Sequence, residues 1–394
     1  MEIREINLWD RFKCLGSNCP DSCCKGWIIP LSREDRIRFL RFGGSMRLPL
    51  ICAMLGHRLG DFNSSSRVCP FLNKDKLCKL QLKKGHDFIP ETCRSYPRAY
   101  RNYGEFEERF VDLSCIQVAK LFVEHHKDLH MISREGEPET EPYSTNDDTQ
   151  FLHDLVSSRE LMIDELKKAG SYEDVSGILK KIDAYAAATQ KEFIHGHTDH
   201  LRSDPFDVFI CRSDPSSDDK MIPDAPGPFK EGVPKYNMHA GGDVFPLGAS
   251  AVNYLMNTPL VSEYLKYGND YIYSIFCLYT KDPAGTMTDK RLSRIREAYH
   301  NAYPEYASVY AAYYIYYLYK FYMNCYEDYS FVRNVRMGFI HLGMIEFLHA
   351  MYYEKKGTLP ADEFTHILSA YNKRAYFIYE NLDEMYEVFI ADFF

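Results

Sequence analysis

Nine of the twelve cysteines in this 394-residue chain fall within its first 115 positions: Cys14, Cys19, Cys23, Cys24, Cys52, Cys69, Cys78, Cys93 and Cys115. Short loops between thiols let several sulfurs converge, and converging sulfurs are metal ligands, redox groups or disulfides. The opening stretch MEIREINLWDRFKC carries both signs of charge and no apolar run of secretory length, which predicts a start in the cytoplasm. In a reducing compartment such thiols are metal ligands or redox groups more often than a disulfide framework, which stays the alternative. The most apolar stretch, Val309 to Tyr319, is largely tyrosine and too short to span, so no membrane span is expected.

Charge follows the cysteines. Residues 1–120 hold 21 Lys/Arg against 14 Asp/Glu, net +7, while the remainder carries net −16. Basic side chains beside dense thiolates stabilise the ligated form. No basic-aromatic stripe accompanies them, and the whole chain is acidic, so no nucleic-acid partner is expected. A composition of 45% hydrophobic and 26% charged residues is that of a globular protein and excludes a disordered tail, a fibre or a coiled coil.

Pattern and punctuation predict a mainly α fold in two parts. Residues 1–132 form a cysteine-rich metal-cluster domain of loops and short helices. Within it, Ser32 starts a helix whose apolar side is Ile37, Leu40 and Phe42, and Cys115 opens a helix carrying Val118, Ala119 and Phe122. The polar stretch 133–148 reads as a linker. Residues 149–394 form a helical substrate and donor domain, interrupted by an irregular, proline-rich loop at 203–246 that is either a functional loop or disordered.

Eight thiols make up the motif Cys14-x4-Cys19-x3-Cys23-Cys24, then Cys69-Pro70-Phe71-Leu72, Cys78-x-Leu80, Cys93-Arg94-x-Tyr96-Pro97-Arg98 and Ser114-Cys115. Eight suffice for two four-thiolate sites, zinc or iron–sulfur, and four for one. Adjacent Cys23 and Cys24 cannot easily point at one metal, which implies either two neighbouring centres or one ligand beside a packing thiol. Only Cys19-x3-Cys23 has the short spacing of a zinc knuckle, and the wider gaps suit a cubane cluster. The Cys-x3-Cys-x2-Cys triplet typical of radical chemistry is not present. Cys52, Cys211, Cys277 and Cys325 read as core residues. His57 and His86 could replace a thiolate or act as a base, or be ordinary surface or core groups.

The run FKCLGSNCPDSCCKGW with Trp27, the later CPFL and LCKL, the TCRSYPR segment and the SC before a helix resemble the flagellin lysine-N-methylase family, which overlaps a cysteine-cluster family described as zinc- or iron-chelating. The cysteine motifs carry the resemblance, and the helical remainder follows more loosely. The family pattern has a proline after the last cysteine, where this chain has Ile116, a departure that concerns the turn more than the thiol. The resemblance implies a bacterial cytoplasmic enzyme with a [4Fe-4S] cluster, zinc being the alternative, that transfers methyl groups from S-adenosylmethionine to lysines of flagellin or another lysine-bearing protein. It also carries Trp27, Arg94, Tyr96 and Arg98 along as cluster-flanking residues.

Methyl transfer to lysine needs a neutral amine, although lysine titrates near ~10.4 in water, so the site must desolvate the amine or place a base beside it. Aromatic rings suit a sulfonium donor and a methylammonium product. Tyr306, Tyr310, Tyr313 and Tyr317 share one helical face and are a candidate aromatic pocket, packed core being the alternative. The sequence has no glycine-rich nucleotide turn. One option is therefore that the donor's amino and carboxylate groups coordinate an open iron, leaving three thiolates on that cluster. A non-enzymatic zinc- or iron-binding module and a redox protein are the competing readings. The acidic helical part would favour approach of a lysine-bearing substrate.

Overall fold

A computed structural model of the chain describes residues 1–25, 29–55, 61–62, 68–142, 144, 146–194, 201 and 289–377. Trp27, His57, Cys211, Cys277 and the segment 203–246 lie outside the described residues. The strands are β1 (Glu2–Ile6), β2 (Arg98–Asn102), β3 (Phe106–Val111) and β4 (Met131–Glu135). The helices are α1 (Arg33–Arg41), α2 (Arg47–Leu55), α3 (Lys79–Lys84), α4 (Glu91–Ser95), α5 (Ile116–His125), α6 (Thr149–Leu166) and α7 (Tyr172–Ile194). After them come α8 (Asp289–Ala302), α9 (Ala307–Phe321), α10 (Cys325–Asp328), α11 (Phe331–Lys356) and α12 (Ala361–Phe377). The protein is mainly helical, as the sequence pattern predicts.

The chain divides into two compact units, one holding Met1–Tyr143 and Lys356–Asp383, the other Ser144–Asn257 and Ala284–Lys355. The first contains a four-stranded sheet that the sequence reading, with its loops and short helices, does not anticipate. Its order is β2-β3-β1-β4, with β1 parallel to β3 and the other pairs antiparallel. The cysteine-rich segment is therefore the long crossover between β1 and the β2–β3 hairpin. Glutamate and arginine fill these strands because buried charges are paired inside the sheet. Arg109 donates to Glu5 at 3.0 Å and to Glu107 at 2.8 Å, and Glu107 also accepts from the Glu139 and Thr140 amides. Ser133 to Glu135, read as the start of a linker, lie in β4.

A second core forms beneath the cysteine loops from Phe39, Leu50, Met54, Phe62, Phe71, Leu80 and Ile89, among others. Ser32 caps α1 through a capping box with Asp35, as its position predicts. The buried side of α1 is Phe39 and Asp35, however, whereas Ile37 and Leu40 are 38% and 40% exposed. Asp35 turns inward because its carboxylate also accepts from the Glu91 amide at 2.9 Å and pairs with Arg38. Helix α12 packs on α5, and Ser369 Oγ donates to the buried Ser114 carbonyl at 2.9 Å.

The second unit packs α6 and α7 against α9, with α11 behind the tyrosines of α9. Almost every residue of α9 is buried. Its hydroxyls are satisfied inside the unit: Tyr314 donates to the Val335 carbonyl and Tyr317 to that of Asn334, each at 2.9 Å. Gly338 lets α11 approach these rings, since a Cβ there would lie 2.5 Å from Tyr317 and 2.6 Å from Tyr314. Among the described residues no helix is long and apolar enough to cross a membrane.

Helix propensity alone predicts that Gly338→Ala stabilises α11 by about 1 kcal/mol. The ring contacts oppose this, and overpacking of this kind costs about 1–3 kcal/mol. The variant is expected to be less stable than the parent by thermal or chemical denaturation, and a raised midpoint would show that the rings yield.

Candidate metal centre and adjoining groove

The loops that carry the thiols are each closed by local hydrogen bonds. Cys14 and Cys19 flank the turn Gly16–Asn18, with the Gly16 amide donating to the Cys14 sulfur at 3.4 Å and the Cys19 amide to the Gly16 carbonyl at 3.2 Å. The Cys69 amide donates to the Cys24 carbonyl at 2.8 Å, which joins the first cysteine run to the second. Between Cys69 and Cys78, Asn73 Oδ1 accepts from the amides of Asp75 and Leu77, an Asx turn that brings the two thiols' loop back on itself. Cys78 precedes the first turn of α3, Cys93 lies in α4, and Cys115 is the N-cap of α5.

The eight predicted thiols interact in two groups joined at the Cys23–Cys24 pair. Cys24, Cys69, Cys78 and Cys93 pack on the second core. The Cys23 thiol donates to Cys24 and the Cys24 thiol to Cys69, and Cys24 and Cys93 both feel the Cys78 sulfur. On the other side Cys19 feels Cys14 and Cys23, and Cys115 feels Cys19 and Cys23. Cys52 is not among them: it is exposed on α2, whose inward residues are Leu50 and Met54, so the expectation of a core residue is corrected. Cys325 is buried, as expected.

Crowding and burial act against ionisation. Cys23 is pushed up by its hydrogen bond to Cys24 and by burial. The bond from Cys23 pulls Cys24 down, but the bond to Cys69, burial and the neighbouring sulfurs outweigh it, and Cys24 is pushed up to about 12. Burial pushes Cys115 up to about 11, against the Val118 and Gln117 amides that favour its thiolate. Burial is also the main cause at Cys19 and Cys93. A cation reverses this balance, because a coordinated thiol is deprotonated outright. All-sulfur donors match zinc or an iron–sulfur centre and not a hard, oxygen-seeking ion. Proximity is not coordination, however, and among the described residues no group of three or more His, Cys, Asp or Glu side chains is arranged to hold a metal ion.

The flanking residues have structural partners. Arg94 donates to the carbonyls of Asp87 and Ile89 at 2.9 and 3.3 Å, and Arg98 lies over the rings of Trp9 and Phe12 at 5.0 and 5.4 Å. The Tyr96 hydroxyl meets Ser114 Oγ at 3.1 Å, and burial holds it well above the usual phenol range. His86 is exposed. In the second unit Tyr310, Tyr313 and Tyr317 are buried, while Tyr306 is half-buried and stacks on Tyr303. Tyr310 bonds Tyr299 and His349 at 2.8 and 2.7 Å. Nearby, a cleft of about 670 Å³ is walled by Arg296 and His300, both anchored on the buried Glu346.

Sequence reasoning misses the groove of about 410 Å³ beside the second thiol group, between the Cys14–Cys23 loop, the start of α5 and the start of α12. At its edge Lys373 of α12 pairs with Asp21, and the Lys373 charge favours the thiolate of Cys23. Asp21 and Lys373 are 352 positions apart, and no local signal in the sequence could have joined them.

A thiol-rich loop domain on a small mixed sheet, continued by a tyrosine-packed helical unit, defines the class. The comparisons with known proteins name it. A lysine-N-methylase of Salmonella typhimurium is 32% identical over 117 residues, 27% of this chain and 29% of the relative. A lysine-N-methylase of Salmonella choleraesuis is 32% identical over 116 residues, again 29% of its length. The flagellar biosynthetic protein FliU of Salmonella muenchen is 32% identical over 116 residues, 68% of its length. The chain belongs to the flagellin lysine-N-methylase family. The match spans about 29% of the length of the two named methylases. No family model matches the chain, and no solved structure matches it significantly.

Raised thiols make a pH prediction for the metal-free protein. Between about pH 9 and pH 11, folded Cys24 and Cys115 keep protons that the unfolded chain gives up, so stability falls as pH rises through that window. Denaturation midpoints are expected to drop between about pH 9 and pH 11, and to drop less in Cys24→Ser/Cys115→Ser. Equal slopes for parent and variant would assign the effect elsewhere.

Proposed function

We propose that the protein is an S-adenosylmethionine-dependent protein-lysine N-methyltransferase that acts in the cytoplasm on flagellin or a similar surface protein, with iron–sulfur chemistry whose thiolate ligands come from among Cys14, Cys19, Cys23, Cys24, Cys69, Cys78, Cys93 and Cys115. The observation that carries this reading is the coupling of all eight thiols in a chain related to lysine-N-methylases. When bound, such a centre would supply the positive charge that holds its ligating sulfurs as thiolates.

The chain's own residues prepare the rest. The second core buries one side of the thiol loops and so excludes water from them. The Gln117 and Val118 amides favour a thiolate at Cys115, and Lys373 does the same for Cys23. Asp35 holds the start of α4, and with it Cys93, against α1. The acceptor ammonium must lose a proton before its nitrogen lone pair can form the bond to the methyl carbon, while the carbon–sulfur bond breaks and its electron pair leaves with a neutral thioether.

Anaerobically purified protein incubated with methyl-labelled S-adenosylmethionine and flagellin is expected to transfer label to lysine. Cys24→Ser is expected to lose metal and at least about tenfold of this activity. The exposed Cys52→Ser should change neither. Label transfer that survives Cys24→Ser intact would remove the thiol centre from the reaction.

A further inference from the structure

We propose that Cys24 and Cys69 are a site of oxidative modification, closing as a disulfide when no metal holds their sulfurs and the chain meets a low-molecular-weight disulfide such as oxidised glutathione. The inference stands on the pairing of two chain segments and does not depend on the methyltransferase reading. Lys25 and Val68 face each other across an isolated antiparallel bridge, which sets Cys24 directly opposite Cys69. The Cys69 amide donates to the Cys24 carbonyl at 2.8 Å. Opposite residues of an antiparallel pair turn their side chains to the same face, and in a hydrogen-bonded pair their Cα atoms lie about 5.5 Å apart. A disulfide spans about 4.4–6.8 Å between Cα atoms, so the link asks for little movement of the backbone. The two thiols already meet, that of Cys24 donating to Cys69.

Neighbouring thiols are worse placed for a link to either one. Consecutive Cα atoms are about 3.8 Å apart, short of the disulfide span, which disfavours Cys23 with Cys24. Cys78 faces Leu72 across its own bridge and not Cys69. Cys69 is buried and Cys24 half-buried, so the oxidant enters at Cys24. The Cys24 sulfur attacks the small disulfide and displaces one of its thiols, and the Cys69 sulfur then attacks Cys24 in the mixed disulfide and displaces the other. Each cysteine gives up its proton, the two electrons reduce the oxidant, and the protons leave on two small thiols. Once closed, the pair offers no thiolate, and its sulfurs take up no metal until a thiol reductant reopens it.

Full-length protein stripped of metal is equilibrated with reduced and oxidised glutathione, its remaining thiols are alkylated, and its disulfides are mapped by mass spectrometry of proteolytic fragments. The dominant link is expected to join Cys24 to Cys69, to persist in Cys23→Ser and to be lost in Cys69→Ser. The same chain unfolded in urea should lose the preference, because the bridge that aligns the pair is then gone. A different dominant pair, no dominant pair, or an equal preference in urea would overturn the proposal. Metal-loaded protein should resist the treatment. A Cys24–Cys69 link that forms as readily with metal bound upholds the disulfide and removes these two sulfurs from the ligands of the proposed centre.

Discussion

Eight sulfurs held near one another cannot all ionise unless a cation joins them, and the first unit is arranged around that constraint. Burial and mutual repulsion raise Cys19, Cys23, Cys24, Cys93 and Cys115, so the protein by itself keeps protons on them. Basic residues crowd the same third of the sequence, and Lys373 is brought to Cys23 from the far end of the chain. The fold itself lowers only part of the cost of the thiolate state, through Lys373 at Cys23 and the Gln117 and Val118 amides at Cys115.

The frame around the sulfurs is built from buried, paired charges. Glu107 is fully buried and ties Arg109 and the amides of Glu139 and Thr140 to β3, while Asp35 joins α1 to α4. Removing one member of such a set leaves an uncompensated charge behind, which costs about 3–5 kcal/mol. Loops too short and irregular to be rigid on their own are thus held from both ends, by the sheet on one side and by the apolar core beneath Cys24, Cys69, Cys78 and Cys93 on the other.

Local signals in the sequence read true where one interaction decides the outcome. The Ser32 cap, the Cys115 start of α5 with Val118, Ala119 and Phe122 inward, and the long amphipathic helices α6 and α7 all follow from spacing. The sheet was illegible because EIREI, RAYRN and MISRE put glutamate and arginine where strand propensity favours branched and aromatic residues, and only tertiary pairing makes them compatible. The inward face of α1 was misread for the same reason, a carboxylate satisfied by a partner 56 positions away. The exposure of Cys52 needed the inward position of Leu50 and Met54 on α2, which the apolar run around it does not reveal. The groove depends on α12 returning to α5, a contact that periodicity cannot encode.

The central claim is that these thiols hold an iron–sulfur centre, and metal analysis of protein purified without oxygen tests it most directly. The account predicts iron and acid-labile sulfide in near-equal amounts, bound to the protein and lost when the thiols are replaced. Stoichiometric zinc without sulfide would contradict it.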